Sequence, residues 1–133
     1  MTEALRTNRT GGKTVKQLIA EATRDIAFMS MDEVAQRIGQ SDPGLLILDV
    51  RARDAFRAGH LPGAVNIPRG ELELRVDQEL PDPTTRILTY CQLGKISTLA
   101  AQTLRTLGYT RTVALDGGLE GWTQAGLPIV KEA

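Results

Sequence analysis

The sequence predicts an α/β protein built on a parallel sheet covered by helices on both faces. Three observations carry that expectation. Leu45 to Val50 is a continuous apolar run after a Pro43-Gly44 turn, the pattern of a strand buried on both faces. From there to Ala125, strand-like and helix-like segments alternate, as consecutive parallel strands require. Ahead of the alternation, Val15, Leu18, Ile19, Ala22 and Ile26 fall on one face of an amphipathic N-terminal helix.

The elements follow in order. Met1 to Lys13 is polar with Gly11-Gly12 near its end, and is expected to be loosely attached. Ser30-Met31-Asp32-Glu33 has the pattern of a capping box, and its helix shows an apolar face of Val34, Ala35 and Ile38 before Gly39. After the first strand, Arg53 to Ala58 reads as a short helix, Pro62-Gly63 as a turn and Ala64 to Ile67 as a short strand. Gly70 to Val76 has helical spacing, with Leu72 and Val76 on one side. Pro81-Asp82-Pro83 is a rigid loop before a strand over Arg86 to Tyr90. A helix over Ser97 to Leu107 follows, and Gly108 stands where a helix end favours a left-handed residue. Thr112 to Leu115 is the last strand and Leu119 to Ala125 the last helix. In such folds, ligands bind at the carboxyl ends of the strands.

Composition narrows the class. The 133 residues are 41% hydrophobic and 24% charged, enough for one core in an ordinary globular domain. Sixteen basic residues balance sixteen acidic ones, so no general attraction to nucleic acid or to an anionic membrane is expected. The longest aliphatic run, Leu45 to Leu48, is far too short to span a bilayer, and the N-terminus has no apolar core of a signal peptide. A single cysteine fits a reducing compartment, so a cytoplasmic protein is expected. No Cys/His cluster has metal-ligand spacing and no glycine-rich phosphate motif occurs; neither metal nor cofactor is expected.

The chemistry points to the stretch Tyr90-Cys91-Gln92-Leu93-Gly94-Lys95-Ile96-Ser97. A buried strand is expected to end at Tyr90, Cys91 opens the loop after it, Gly94 permits a positive φ, and Ser97 is expected to cap the following helix. If the loop curls around the sulfur, successive N–H groups and the helix N-terminus face it, a setting for a thiolate nucleophile, a persulfide anion or a bound oxyanion. The same residues also fit a small, inert, buried cysteine.

Four segments, taken together, resemble the rhodanese family. They are Leu48-Asp49-Val50-Arg51, Gly59-His60-Leu61-Pro62-Gly63-Ala64-Val65-Asn66-Ile67-Pro68, the Cys91 loop, and Leu115-Asp116-Gly117-Gly118 with Trp122 and Ala125-Gly126-Leu127-Pro128. The resemblance implies a three-layer rhodanese-like fold, a five-stranded parallel sheet flanked by helices, with an extra N-terminal helix. An extension over residues 1–27 and a rhodanese-like domain over 28–133 are expected. It further implies a sulfurtransferase in which a donor, thiosulfate or a persulfide, leaves sulfane sulfur on Cys91 and a cyanide, thiol or protein acceptor removes it. Gln92, Leu93, Gly94, Lys95, Ile96 and Ser97 form the expected binding loop, with Asp49 and Arg51 beside it. A monomer or weak homodimer is expected, with small-molecule sulfur partners.

The loop departs from the family in charge. Rhodaneses often carry a basic residue directly after the cysteine and an arginine five after it; here these are Gln92 and Ile96. In the thiosulfate–cyanide enzymes, cations also come from the positions matching Ala55 and Leu93. Lys95 is the cation that remains in the loop, with Arg51, Arg69 and Arg75 as candidates for the rim, so a dianionic donor lacks charge-assisted contacts. His60, the one histidine, belongs to a turn motif rather than to catalysis, and Trp122 reads as core. A cysteine phosphatase would need an arginine six residues after the nucleophile, where this chain has Ser97. The competing class is a non-enzymatic rhodanese-like binding or sulfur-carrier module acting with a partner protein.

Overall fold

The computed structural model describes residues 11–132, so most of the polar stretch Met1 to Lys13 lies outside the described residues. An N-terminal helix α1 (Val15–Asp25) leads into the edge strand β1 (Phe28–Met29) and helix α2 (Met31–Gly39). Strand β2 (Leu45–Asp49), helix α3 (Arg53–Ala58) and strand β3 (Val65–Asn66) follow. A 3-10 turn (Arg69–Glu71) and helix α4 (Leu72–Glu79) then lead to strand β4 (Arg86–Tyr90). Helix α5 (Lys95–Thr106), strand β5 (Thr112–Leu115) and helix α6 (Gly118–Gln124) complete the chain. The five strands form one sheet in the order β1-β5-β4-β2-β3, and every pairing is parallel.

Both β2 and β4 carry apolar residues toward two faces because both strands lie inside the sheet and alternate between two buried sides. Leu48 and Ile87 point to one face, packed by Leu72 and Val76 of α4 and by Ala100 and Leu104 of α5. Ile47, Leu88 and Tyr90 point to the other, packed by Val34 of α2 and by Leu119 and Trp122 of α6. Cys91 continues this alternation onto the α4–α5 face.

Three expectations need correction, and one strand was not anticipated. Strand β1 has no signal in the sequence: it is two residues long, at the sheet edge, and Phe28 is exposed. Only the lower half of the α1 stripe is buried: Ala22 and Ile26 pack inward, Ile26 against Ala101 and Ala114, while Val15 and Leu18 face solvent. Ser30 and Glu33 make half a capping box. The Ser30 hydroxyl accepts from the Glu33 N–H at 3.1 Å, but the Glu33 carboxylate turns to Arg37. Helix α5 begins at Lys95, so Ser97 lies within its first turn rather than capping it. Among the described residues no helix is long and apolar enough to cross a membrane.

Candidate functional site

Cys91 follows the central strand β4 at its carboxyl end, where a parallel sheet opens toward ligand. The chain then turns through Gln92 and Leu93 to Gly94, whose φ of +106° is in the region that favours glycine. That turn reverses the backbone over the sulfur. The Gly94 N–H donates to Sγ at 3.1 Å and the Ser97 N–H donates to it at 3.3 Å. The first amides of an α-helix have no carbonyl partner within the helix, and a serine or aspartate cap usually accepts from the third of them. Gly94 is the cap residue of α5 and has no side chain to offer, so the sulfur of Cys91 fills that place.

Three hydroxyls complete the surround. As a thiol, Cys91 donates to Ser97 Oγ at 3.4 Å, and that hydroxyl donates to the Gly94 carbonyl at 3.1 Å. Thr98 Oγ1 donates to the same carbonyl at 2.6 Å, and Thr89 Oγ1 donates to the Ser97 carbonyl at 3.0 Å, tying the first turn of α5 to β4. When sulfur is anionic, rotation of the Ser97 hydroxyl supplies a third donor. Cys91 is 4% exposed, so its sulfur is reached from one side only.

That side is a pocket between the ends of three strands. Val50, Arg51, Ala52 and Ala55 come from the segment after β2, and Pro68, Arg69 and Gly70 from the segment after β3. Cys91, Gln92 and Ile96 form the floor and the remaining wall. Of the site residues expected from sequence, Cys91, Gln92, Ile96 and Arg51 therefore line one pocket, while Gly94 and Ser97 lie against the sulfur. Leu93 and Lys95 are exposed and outside the lining.

Asp49, expected among the substrate contacts, is fully buried and is not among the residues lining the pocket. Its carboxylate is gripped by Arg51 Nη2 at 2.7 Å and Nε at 3.1 Å and by the Arg51 N–H at 2.8 Å; Arg51 Nη2 also donates to the Gly59 carbonyl at 2.6 Å. Tyr90 is beside Asp49 in register and accepts from the Leu61 N–H at 3.1 Å. Burial, followed by the Asp49 charge, pushes its phenol above the ordinary tyrosine range. His60 is buried, stacked on Phe56 at 3.8 Å, and Nδ1–H donates to the Phe56 carbonyl at 2.8 Å, a structural role. Trp122 is fully buried and donates to the Pro128 carbonyl.

The position that sequence reasoning missed is Gly118. It has φ +63°, and the N-terminus of α6 abuts the Cys91 loop: Leu119 N–H donates to the Cys91 carbonyl at 2.9 Å and Glu120 N–H to the Gln92 carbonyl at 3.0 Å. The Gly117-Gly118 pair after a strand was the available signal. Cys91 is thus held between two helix ends, α5 donating to its sulfur and α6 to its carbonyl.

Comparison with known proteins agrees with this geometry. The chain is 32% identical over 104 residues to the putative sulfur carrier protein YrkF of Bacillus subtilis, covering 78% of this chain and 55% of that one, so it spans about half of that relative's length. It is 31% identical over 99 residues to a sulfurtransferase of Allochromatium vinosum, covering 74% of this chain and 90% of that protein. A solved protein of unknown function from Rhodopseudomonas palustris, described as a possible tyrosine phosphatase, superposes with a TM-score of 0.78 at 28% identity, covering 89% of this chain and 95% of that one. The model of the rhodanese-like domain matches residues 30–125, a stretch that takes in four of the five strands and both helices around the sulfur, and the chain belongs to that family.

Proposed function

We propose that this chain is a sulfurtransferase, residues 28–133 forming the transfer domain and 1–27 an extension, in which Cys91 carries sulfane sulfur as a persulfide. The observation that carries the reading is the pair of N–H donors, from Gly94 and Ser97, aimed at a sulfur on the floor of an open pocket. Such donors stabilise negative charge on sulfur in both the attacking thiolate and the persulfide. The Cys91 thiolate attacks the outer sulfur of a donor, a new S–S bond forms, and the donor leaves as its own anion. An acceptor thiolate or cyanide then takes the outer sulfur and returns Cys91 as thiolate. The sulfur carrier and sulfurtransferase relatives support the same class.

A phosphatase reading lacks its anion grip. The position six residues after Cys91 holds Ser97, whose N–H is already on the sulfur, and the loop contains no arginine. Incubation with a sulfur donor should add one sulfur, about 32 Da, to the intact chain, and cyanide or a thiol should remove it. Cys91→Ser should lose both steps while keeping the fold; undiminished turnover by that variant would overturn the mechanism.

A further inference from the structure

The charges around the pocket identify the kind of donor it takes. Arg51 and Arg69 are the only cationic side chains among the residues lining it. Arg51 is committed to the buried Asp49 carboxylate and the Gly59 carbonyl. Arg69 is paired with Glu73 at 2.9 Å through Nη1, and its Nη2 donates to Thr103 at 3.2 Å. Beyond the lining the pattern repeats. Arg75 lies between Glu71 at 2.8 Å and Glu79 at 2.6 Å, and Lys95 is exposed outside the pocket. The remaining surface is mostly hydrocarbon, from Val50, Ala52, Ala55, Pro68 and Ile96, with the uncharged amide of Gln92 as its polar side chain. Ile96 is 51% exposed beside the nucleophile, and its neighbour Leu93, outside the lining, is 60% exposed.

Resting on the persulfide reading of Cys91, we infer that the site takes sulfur from an organic persulfide, R–S–SH, whose hydrocarbon part lies against Ile96, Ala55 and Pro68, and that it discriminates against the thiosulfate dianion. A dianion entering the pocket gives up water for arginines whose charge is already cancelled, so its desolvation is not repaid. A persulfide carries at most one charge, so it gives up less hydration, and its hydrocarbon part buries apolar surface. In the transfer, the Cys91 thiolate bonds to the outer sulfur and its proton stays there. The S–S bond of the donor breaks, and RS⁻ departs with the bonding pair. No oxidant or reductant is consumed.

The test is the rate of sulfur loading on the full chain, read by intact mass, with 2-hydroxyethyl persulfide released in situ and with thiosulfate. The expected result is rapid loading by the persulfide and loading by thiosulfate at least tenfold slower, taking about one missing charge-assisted contact as the difference. Two variants separate charge from intrinsic donor reactivity. Glu73→Gln, outside the pocket, removes the charge paired with Arg69 and should raise thiosulfate loading roughly three- to tenfold with a clearly smaller effect on persulfide loading. Ile96→Arg should raise thiosulfate loading by about tenfold, and both gains should fade at high salt. Thiosulfate loading the native chain as fast as the persulfide, or unmoved by both variants, would overturn the inference and leave the Cys91 persulfide standing. Failure of both donors to load Cys91 would remove the persulfide reading and this inference with it.

Discussion

A β-carbon placed on Gly118 would lie 2.6 Å from the carbonyl oxygen of Gln92 and 3.0 Å from that of Cys91. The absence of a side chain at this one position lets the N-terminus of α6 approach the Cys91 loop closely enough for Leu119 and Glu120 to donate to it. Both contacting atoms are backbone, so neither can swing aside.

Gly118→Ala should therefore cost more than the strain of a left-handed residue alone. With φ +63° and the clash together, a loss of about 2–4 kcal/mol in urea unfolding is expected. Its neighbour is the internal control. Gly117 also has a positive φ, +86°, but a β-carbon there meets nothing nearer than 3.8 Å, so Gly117→Ala should lose only about 1 kcal/mol. The Gly118 variant should also load sulfur more slowly at temperatures where it is folded. Equal stability losses in the two variants would show that the close approach is not what the glycine provides.

The Asp49–Arg51 pair predicts a non-additive response. Arg51→Met leaves a fully buried carboxylate without its guanidinium, and Asp49→Leu leaves a guanidinium at 11% exposure with no carboxylate, only the Gly59 carbonyl and the Tyr90 ring beside it. Each single change should cost about 3–5 kcal/mol, because an uncompensated buried charge remains. The double variant should cost far less than the sum, since no charge is then stranded. Additive losses in a urea double-mutant cycle would mean that the pair is not coupled.

The sequence showed the elements whose pattern is set locally. Leu45 to Val50 and Arg86 to Tyr90 each place apolar residues on both faces, and the helix end at Gly108 follows from its φ of +101°. Strand β1 was not visible, because two edge residues held by pairing with Ala114 and Leu115 leave no periodicity to read. The start of α5 was misplaced for a related reason. Serine is a good cap, so local preference pointed to Ser97, whereas here Cys91 Sγ accepts from the Ser97 amide and the chain turns at Gly94. The pocket walls after β2 and β3 come from segments far apart in sequence, and only the strand order brings them together. That Asp49 is buried rather than in the pocket likewise depends on its bonds to Arg51, which spacing alone does not reveal.

The two tyrosines predict alkaline behaviour. Burial, then the Asp49 charge, pushes the Tyr90 phenol up; burial and then Asp77 push up that of Tyr109. A phenol raised in the folded state stays protonated after its unfolded counterpart has ionised. The stability this reflects is fully present below the unfolded value of about 10 and is lost as pH rises beyond it. Because these are the only tyrosines in the chain, phenolate absorbance near 295 nm reports on them alone. Phenolate should appear together with loss of the circular dichroism of the fold. Smooth ionisation of both phenols near pH 10 with the fold intact would contradict their burial.

Gly94 tests whether the backbone around the sulfur activates it. A side chain there has room, for nothing lies within 4 Å of a β-carbon, so a substitution is resisted by φ +106° alone. Valine at that angle costs roughly 1–3 kcal/mol, and the chain can relieve the strain by opening the turn. Opening it draws the Gly94 N–H, now 3.1 Å from Sγ, off the sulfur and loosens the Ser97 N–H at 3.3 Å. Fewer dipoles then face the anionic sulfur that attacks the donor, and donors of this kind are worth about tenfold or more in rate. Gly94→Val should accordingly melt only modestly lower than the native chain, while alkylation of Cys91 by iodoacetamide at neutral pH and sulfur loading both slow by at least about tenfold. The measurements are thermal melts alongside alkylation and loading rates on the two proteins at a temperature where both are folded. Matching rates would mean that Cys91 reacts without help from these amides, and the source of its reactivity would have to be sought elsewhere in the pocket.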